Sequence, residues 1–99
     1  MQIHRHIATV TTAGGSGSTN TSPFRGGLCR QVLIVSGTTT TTFRSNLTDP
    51  DSNTVRSYST VTGTLNDDNR ILPVRGAYTL NVTNASADGN FTCMLMVEE

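Results

Sequence analysis

The last quarter of the chain holds two alternating segments around a turn sequence, and this pattern constrains the fold more than any other. In residues 76–84, every other residue is apolar: Tyr78, Leu80 and Val82. In residues 91–97 the same spacing recurs: Phe91, Cys93, Leu95 and Val97. Asp88-Gly89-Asn90 lies between the segments, and these residue types close turns readily. The pattern predicts an antiparallel hairpin.

The second of these strands is apolar on both faces, because Met94 and Met96 occupy the alternate positions. A strand of this kind is covered on both sides, by the rest of the fold or by a neighbouring chain.

Further strands are predicted along the chain. Residues 3–12 alternate, with Ile7, Thr9 and Thr11 on one face and Ala8 and Val10 on the other. Residues 28–36 are apolar on both faces, and the threonines of 38–42 favour an extended backbone. Residues 54–62 predict a strand whose apolar face carries Val55 and Val61. In the short apolar segment 71–74, Pro73 indicates an edge or a strand end. Turns are expected at 46–53 and 66–69.

Residues 13–27 show no periodicity and are rich in Gly and Ser, so we expect a long loop or extended arm there. No window shows a helical period. The chain of 99 residues is therefore expected to form one domain, 1–99, of the all-β class. The expected architecture is a small antiparallel β-sandwich or barrel, jelly-roll or immunoglobulin-like, with six to eight strands.

Composition narrows the classes of partner. Ser and Thr supply 27 residues, only 14% of residues are charged, and the formal net charge is zero. Nucleic-acid binders carry a basic excess, so we expect no nucleic-acid partner. All seven basic residues are Arg, which suits protein interfaces, although codon bias gives the same composition. No run is long enough to cross a membrane, and the first residues lack a signal-peptide pattern, so we expect a soluble chain that is either cytoplasmic at synthesis or already processed.

The residues that bear chemistry form weak patterns. Asp49, Asp51 and Asn53 have the spacing that opens a calcium loop, but Thr54 replaces the loop glycine, and an ordinary Asx turn is favoured. His4 and His6 share a strand face as two metal ligands would, but no third ligand is near in sequence. We expect no enzyme activity, metal or cofactor.

Cys29 and Cys93 lie on strands that look central. A bridge of the immunoglobulin type is one alternative, and buried free thiols are the favoured one. Five N-x-S/T sequons, which matter only in a secreted protein, begin at Asn20, Asn46, Asn81, Asn84 and Asn90.

The two ends of the chain carry a resemblance. The opening IHRHIATVTT, the Gly-rich insert, GLCRQVLIV and the closing NRILPVRGAYTLNVTNASADGNFTCMLMVEE resemble a group of small tailed-bacteriophage proteins. The similarity is poor between residues 38 and 68.

This resemblance implies a virion structural protein, a cement (decoration) protein on the outside of an icosahedral head. Its implied partners are the major capsid protein and further copies of itself, as a homotrimer. Residues 1–6 and 13–27 are expected to reach neighbours, together with the two methionines. The expected interface residues are Met1, Ile3, His4, His6, Ser16, Thr19, Pro23, Phe24, Arg25, Met94 and Met96.

Two alternatives remain open. A head–tail connector or tail accessory protein would assemble with ring symmetry. A secreted immunoglobulin-like adhesion or carbohydrate-binding module would show a Cys29–Cys93 disulfide, occupied sequons and aromatic side chains that stack on sugar.

Overall fold

A computed structural model describes residues 3–68 and 71–99, and all regular structure in them is β. Two antiparallel sheets pack face to face, which confirms the predicted all-β sandwich. The strands are β1 (Ile3–Thr11), β2 (Gly17–Asn20), β3 (Phe24–Ser36), β4 (Thr42–Thr48), β5 (Thr54–Thr62), β6 (Thr64–Asp67), β7 (Leu72–Gly76), β8 (Thr79–Thr83) and β9 (Asn90–Glu98).

The five-stranded sheet has the order β1-β9-β3-β6, and β7 also pairs with β3. Because β9 occupies one side of β3, β6 and β7 share the other side, β6 along residues 32–35 and β7 along residues 24–29. The four-stranded sheet has the order β2-β8-β4-β5. Pro73 lies in β7, which pairs only with β3, so its expected position at an edge is confirmed.

The expected C-terminal hairpin is wrong, although both of its strands exist. β8 pairs with β2 and β4, whereas β9 pairs with β1 and β3 in the opposite sheet. The connection between them is long enough to cross the ~10 Å between packed sheets. Backbone bonds hold it in place: Ala85 N–H donates to Gly15 O and Ser86 N–H donates to Thr42 O, both at 2.9 Å.

The core forms where the two inner faces meet. The rings of Phe43 on β4 and Phe91 on β9 contact edge to face across the sandwich, with centroids 5.0 Å apart. The alternation of both C-terminal segments is confirmed, because the following side chains are all buried: Tyr78, Leu80, Val82, Phe91, Cys93, Leu95 and Val97.

Strand β5 has the bounds expected from sequence but a different apolar face. Phe43 lies opposite Val61 and Ser45 lies opposite Tyr58, so an extra residue of β5 bulges between the two pairs. Because Phe43 and Ser45 point inward, Tyr58 and Val61 both do so, although their spacing in sequence is odd. Simple alternation therefore fails for this strand.

Two strands of four residues were not predicted, and they raise the number of described strands to nine. β6 replaces part of the expected turn at 66–69, because Leu65 is buried opposite Ile34. Asn69, also part of that expected turn, lies outside the described residues.

The structure also corrects the expectation for residues 13–27, which do not form a free arm. Ala13 and Ser16 form a bridge, β2 pairs with β8, and Phe24 is buried at the start of β3. The Asp88 carboxylate accepts hydrogen bonds from the backbone N–H groups of Gly14 (3.1 Å) and Gly15 (2.9 Å). These bonds, the one from Gly15 first, hold the pKa of Asp88 below its usual value. The polar composition of residues 13–27 does not predict this ordered structure, because the residues that pair with the segment lie about 60 to 75 positions away in the sequence.

Gly17→Ala tests whether this segment belongs to the fold. A Cβ at Gly17 would lie 2.3 Å from the carbonyl oxygen of Thr11, a contact that requires the backbone to shift. We expect the free energy of unfolding to fall by about 1–3 kcal/mol, as for other overpacked sites. Urea unfolding measures this change. Gly89→Ala is the control, because a Cβ there meets open space. Equal stability of both variants would contradict this packing and support a free arm at residues 13–27.

Candidate interaction surface

The outer face of the five-stranded sheet carries a line of apolar side chains across three strands. Ile7 on β1 lies opposite Met94 on β9, and Met94 lies opposite Leu33 on β3. Their neighbours along each chain point into the core, so these three side chains point away from it. The line therefore results from strand register, with one residue contributed by each strand.

This line belongs to a larger apolar face. Ile3 is 58% exposed, Ile7 59% and Val35 39%, while the other members are half-buried. We call this set the apolar face: Ile3, Ile7, Leu33, Val35, Met94 and Met96. Single exposed apolar residues are common on proteins, but a contiguous set on one sheet face marks an interaction surface.

Arg5 projects from the same face, between Ile3 and Ile7 on β1 and opposite Met96. It is exposed, and it forms no ion pair among the described side chains. Met and Arg are enriched in interface cores, whereas Lys is depleted. The apolar face with Arg5 therefore has a composition that is common in protein interfaces.

The outer face of the four-stranded sheet is polar. Ser18, Asn81, Asn46 and Ser57 form one row across all four strands. Asn81 Nδ2 donates to Asn46 Oδ1 at 2.7 Å and to Thr48 Oγ1 at 3.3 Å. Because this face satisfies its own polar groups, water is a suitable neighbour for it. The outer face of the four-stranded sheet is thus the more polar one, whereas the outer face of the five-stranded sheet combines the apolar face with polar side chains such as Gln31 and Thr92.

The structure distributes the predicted interface residues over several places. Three of them lie on the apolar face: Ile3, Met94 and Met96. Exposed positions near β2 and at the start of β3 hold three more: Ser16, Pro23 and Arg25. Thr19 is half-buried on β2 in the other sheet, and Met1 lies outside the described residues.

Phe24 and the two histidines lie away from the apolar face. Phe24 is 3% exposed, because it packs in the core below His6, with ring centroids 4.6 Å apart. His6 Nε2 lies 3.1 Å from Glu99 Oε1 and is directed to the inner side of β1. His4 shares that side, although it is exposed near the end of the strand. These three side chains do not join the apolar face.

Ile7, Leu33 and Val35 were missed as surface residues. The sequence does contain apolar residues at the outward positions. Residues 28–36 are apolar on both faces of the strand, and Ile7 lies on the face opposite to that of the buried Val10. An apolar run of this kind fits a strand buried on both faces, and only the two-layer architecture leaves its outer side chains in water.

Neither candidate metal pattern forms a site. Asp49 Oδ1 accepts hydrogen bonds from Asp51 N–H (3.0 Å) and Asn53 N–H (2.8 Å), which confirms the Asx turn. Within residues 3–68 and 71–99, no three His, Cys, Asp or Glu side chains converge as metal ligands would. The same residues include no helix long and apolar enough to cross a membrane.

The two cysteines are free and buried, which confirms the favoured alternative. Cys29 lies opposite Val97, and Cys93 lies opposite Ile34, so both belong to one sheet and are offset by four positions. This offset separates them by ~13 Å along the strand. A disulfide requires Cα atoms within about 7 Å, so the bridge between sheets typical of immunoglobulin domains cannot form in this fold.

Comparison with known proteins adds no family. The chain matches no protein-family model, and no curated protein matches it.

The buried thiols predict a pH dependence. Burial raises the pKa of Cys93 from 9.0 to about 11. Unfolded chains lose the thiol proton near pH 9 while folded chains keep it, so stability falls as the pH rises from 9 towards 11. Urea unfolding at a series of pH values measures this slope. We expect a shallower slope for Cys93→Ala, in which alanine does not titrate. An unchanged slope would show that Cys93 titrates normally when folded.

Proposed function

We propose that this protein is a capsid cement (decoration) protein that binds the outside of an icosahedral phage head through the apolar face. The observation that carries the proposal is the contrast between the two outer faces. The apolar face and Arg5 suit a protein partner, and the row of Ser18, Asn81, Asn46 and Ser57 suits solvent. A flat domain with this contrast lies on a lattice with one side down and the other side outward.

A cement protein stabilises a capsid because the contact area of each copy is repeated at every equivalent position of the symmetric shell. Standard protein interfaces bury about 800 Å² on each partner. The molecule measures 38 × 24 Å along its two longer axes, so one side is large enough for a contact of this class. Each contact between protein and capsid can be weak, because a partner that spans two subunits gains from effective concentration. The major capsid protein would supply apolar side chains and a carboxylate for Arg5.

The resemblance at both ends of the chain supports a virion as the setting of this interaction, with synthesis in the host cytoplasm. The proposal assigns no catalysis, nucleic-acid contact, membrane contact or cofactor to the protein. A head–tail connector or tail accessory protein is the second candidate in the same setting, since the same apolar face could bind a ring of neck subunits.

Two structural features expected of the secreted module are a Cys29–Cys93 disulfide and exposed aromatic rings, and the structure supports neither. The required disulfide is prevented by the positions of Cys29 and Cys93. Stacking on sugar needs exposed aromatic rings, and four of the five are buried: Phe24, Phe43, Tyr78 and Phe91. The fifth, Tyr58, lines an open groove of about 470 Å³ between β5 and β6, where its hydroxyl donates to Asp67 Oδ2 at 2.8 Å.

Met94→Glu tests the docking face. Phage heads assembled without this protein are mixed with purified protein, and the bound amount is measured by sedimentation. We expect at least about tenfold weaker binding, because burying a carboxylate among apolar side chains costs more than the ~1.4 kcal/mol of one tenfold step. Val35→Glu, at a more exposed position on the same face, should act in the same direction.

Ser18→Glu is the matched control, because it adds the same charge to the polar outer face. We expect this variant to bind like the unmodified protein. Equal loss with Ser18→Glu and Met94→Glu would refute docking through the apolar face. No binding of the unmodified protein to heads, but specific binding to isolated neck complexes, would favour the connector.

A further inference from the structure

The edge strands of the two sheets differ in how well they are protected against pairing with another chain. β2 and β6 have four residues each, and β7 contains Pro73. β5 is distorted by two register shifts against β4. Short strands, proline and bulges are the devices by which proteins protect sheet edges. β1 is longer and more regular, because its nine residues pair with β9 without a register shift and contain no Pro, and Arg5 is the charged side chain on this edge.

The open side of β1 carries the backbone groups of its odd-numbered residues. Thr12 N–H donates to Gly89 O at 3.0 Å and continues the β1–β9 register, so even-numbered residues bond to β9. Antiparallel ladders alternate, so Arg5, Ile7 and Thr9 direct N–H and C=O away from β9. Within the described chain, no other strand pairs with β1 along this side. Towards its end β1 is approached by β2, and Gly17 lies close to the Thr11 carbonyl and the Val10 side chain.

We propose that β1 pairs with β1 of a second copy of this chain, antiparallel and about a two-fold axis through Ile7. In this register Arg5 lies opposite Thr9 of the second copy, and Ile7 lies opposite its equivalent. Three residue pairs exchange about six backbone hydrogen bonds. The result is one continuous sheet with the strand order β6-β3-β9-β1-β1-β9-β3-β6.

Side chains favour a second copy as the occupant and disfavour a register centred on Arg5. An axis through Arg5 would place two guanidinium groups directly opposite each other, which is destabilising. An axis through Ile7 avoids this contact. It also joins the two apolar lines, because Ile7 already lies in register with Met94 and Leu33 in each copy. A second copy therefore extends the apolar face across the axis. An unrelated strand would not bring a matching line of apolar side chains into the same register.

The pairing uses the edge of the sheet and goes beyond the proposed docking, which uses its outer face. It is tested in solution without any phage head, so failure of either proposal is visible separately. The resemblance implies a homotrimer, whereas this geometry gives a two-fold dimer.

Sedimentation equilibrium of the purified protein from micromolar to millimolar concentration measures the oligomeric state. We expect a reversible dimer. A monomer over the whole range, or a trimer, would overturn the inference, and the trimer would agree with the resemblance instead.

Thr9→Pro distinguishes association through the edge of β1 from association through the apolar face. It removes a donor that points away from β9, and it leaves the β1–β9 ladder and the apolar face unchanged. We expect the dimer Kd to rise by about 10- to 100-fold, because two of the hydrogen bonds across the axis are lost. Ser18→Lys, on the polar outer face of the other sheet, is the control and should keep the dimer. Met94→Lys tests association through the apolar face. Dissociation by Met94→Lys with a persistent Thr9→Pro dimer would show face-to-face association and refute edge pairing.

Amide hydrogen exchange of the unmodified protein gives a second test that needs no variant to fold. In the dimer, the N–H groups of Arg5, Ile7 and Thr9 should exchange slowly, and dilution should accelerate them. The N–H groups of even-numbered residues in β1 should not respond to dilution. Fast, concentration-independent exchange at the three odd positions would contradict the pairing.

Discussion

A sandwich of two sheets can bury only one face of each sheet, and this constraint shapes the whole molecule. The inner faces meet around Phe43 and Phe91, and they bury the aromatic and aliphatic side chains of the core, whereas Ile3, Ile7 and Val35 stay exposed. In a chain of this size nothing remains to cover the outer faces. What those faces carry is therefore decided by contact with water or with another molecule, and here they differ sharply in polarity.

The edges follow a related constraint. A sheet that does not close into a barrel has strands whose outer backbone groups lack partners, and each must be short, distorted or occupied. The edges at β2, β5, β6 and β7 are short or irregular. β1 is long and regular, and it stands beside the apolar face because Ile3 and Ile7 belong to both. Edge and face are thus neighbouring parts of one surface, and one assembly can use both.

Much of the fold could be read from side-chain alternation. The buried faces of β8 and β9, the bounds of β5 and the edge position of Pro73 follow from local patterns, because a strand exposes its periodicity in its own sequence. The same alternation predicted that Met94 and Met96 lie on the face opposite the buried side chains, and the structure confirms that position. Strand pairing could not be predicted in the same way. The same two alternating segments are compatible with a hairpin or with strands in different sheets, and their sequences do not distinguish these two arrangements.

Several particular residues show why the rest required tertiary structure. Residues 13–27 look like an arm because the partners that order them, β8 and Asp88, lie far along the chain. Phe24 looks available for contact until β1 places His6 over its ring. Tyr58 changes face because of a bulge that depends on the strand opposite.

By itself, the sequence determined that this chain is all β, that its last strands are buried on one alternation, and that its charge balance does not favour nucleic acid. Only the tertiary structure decided which strands are neighbours. That decision placed Ile7, Met94 and Leu33 in one line, kept Cys29 apart from Cys93, and left β1 open along its edge. The physical reason is that side-chain period is a local property of a strand, whereas register and sheet order are set by contacts between segments distant in the chain.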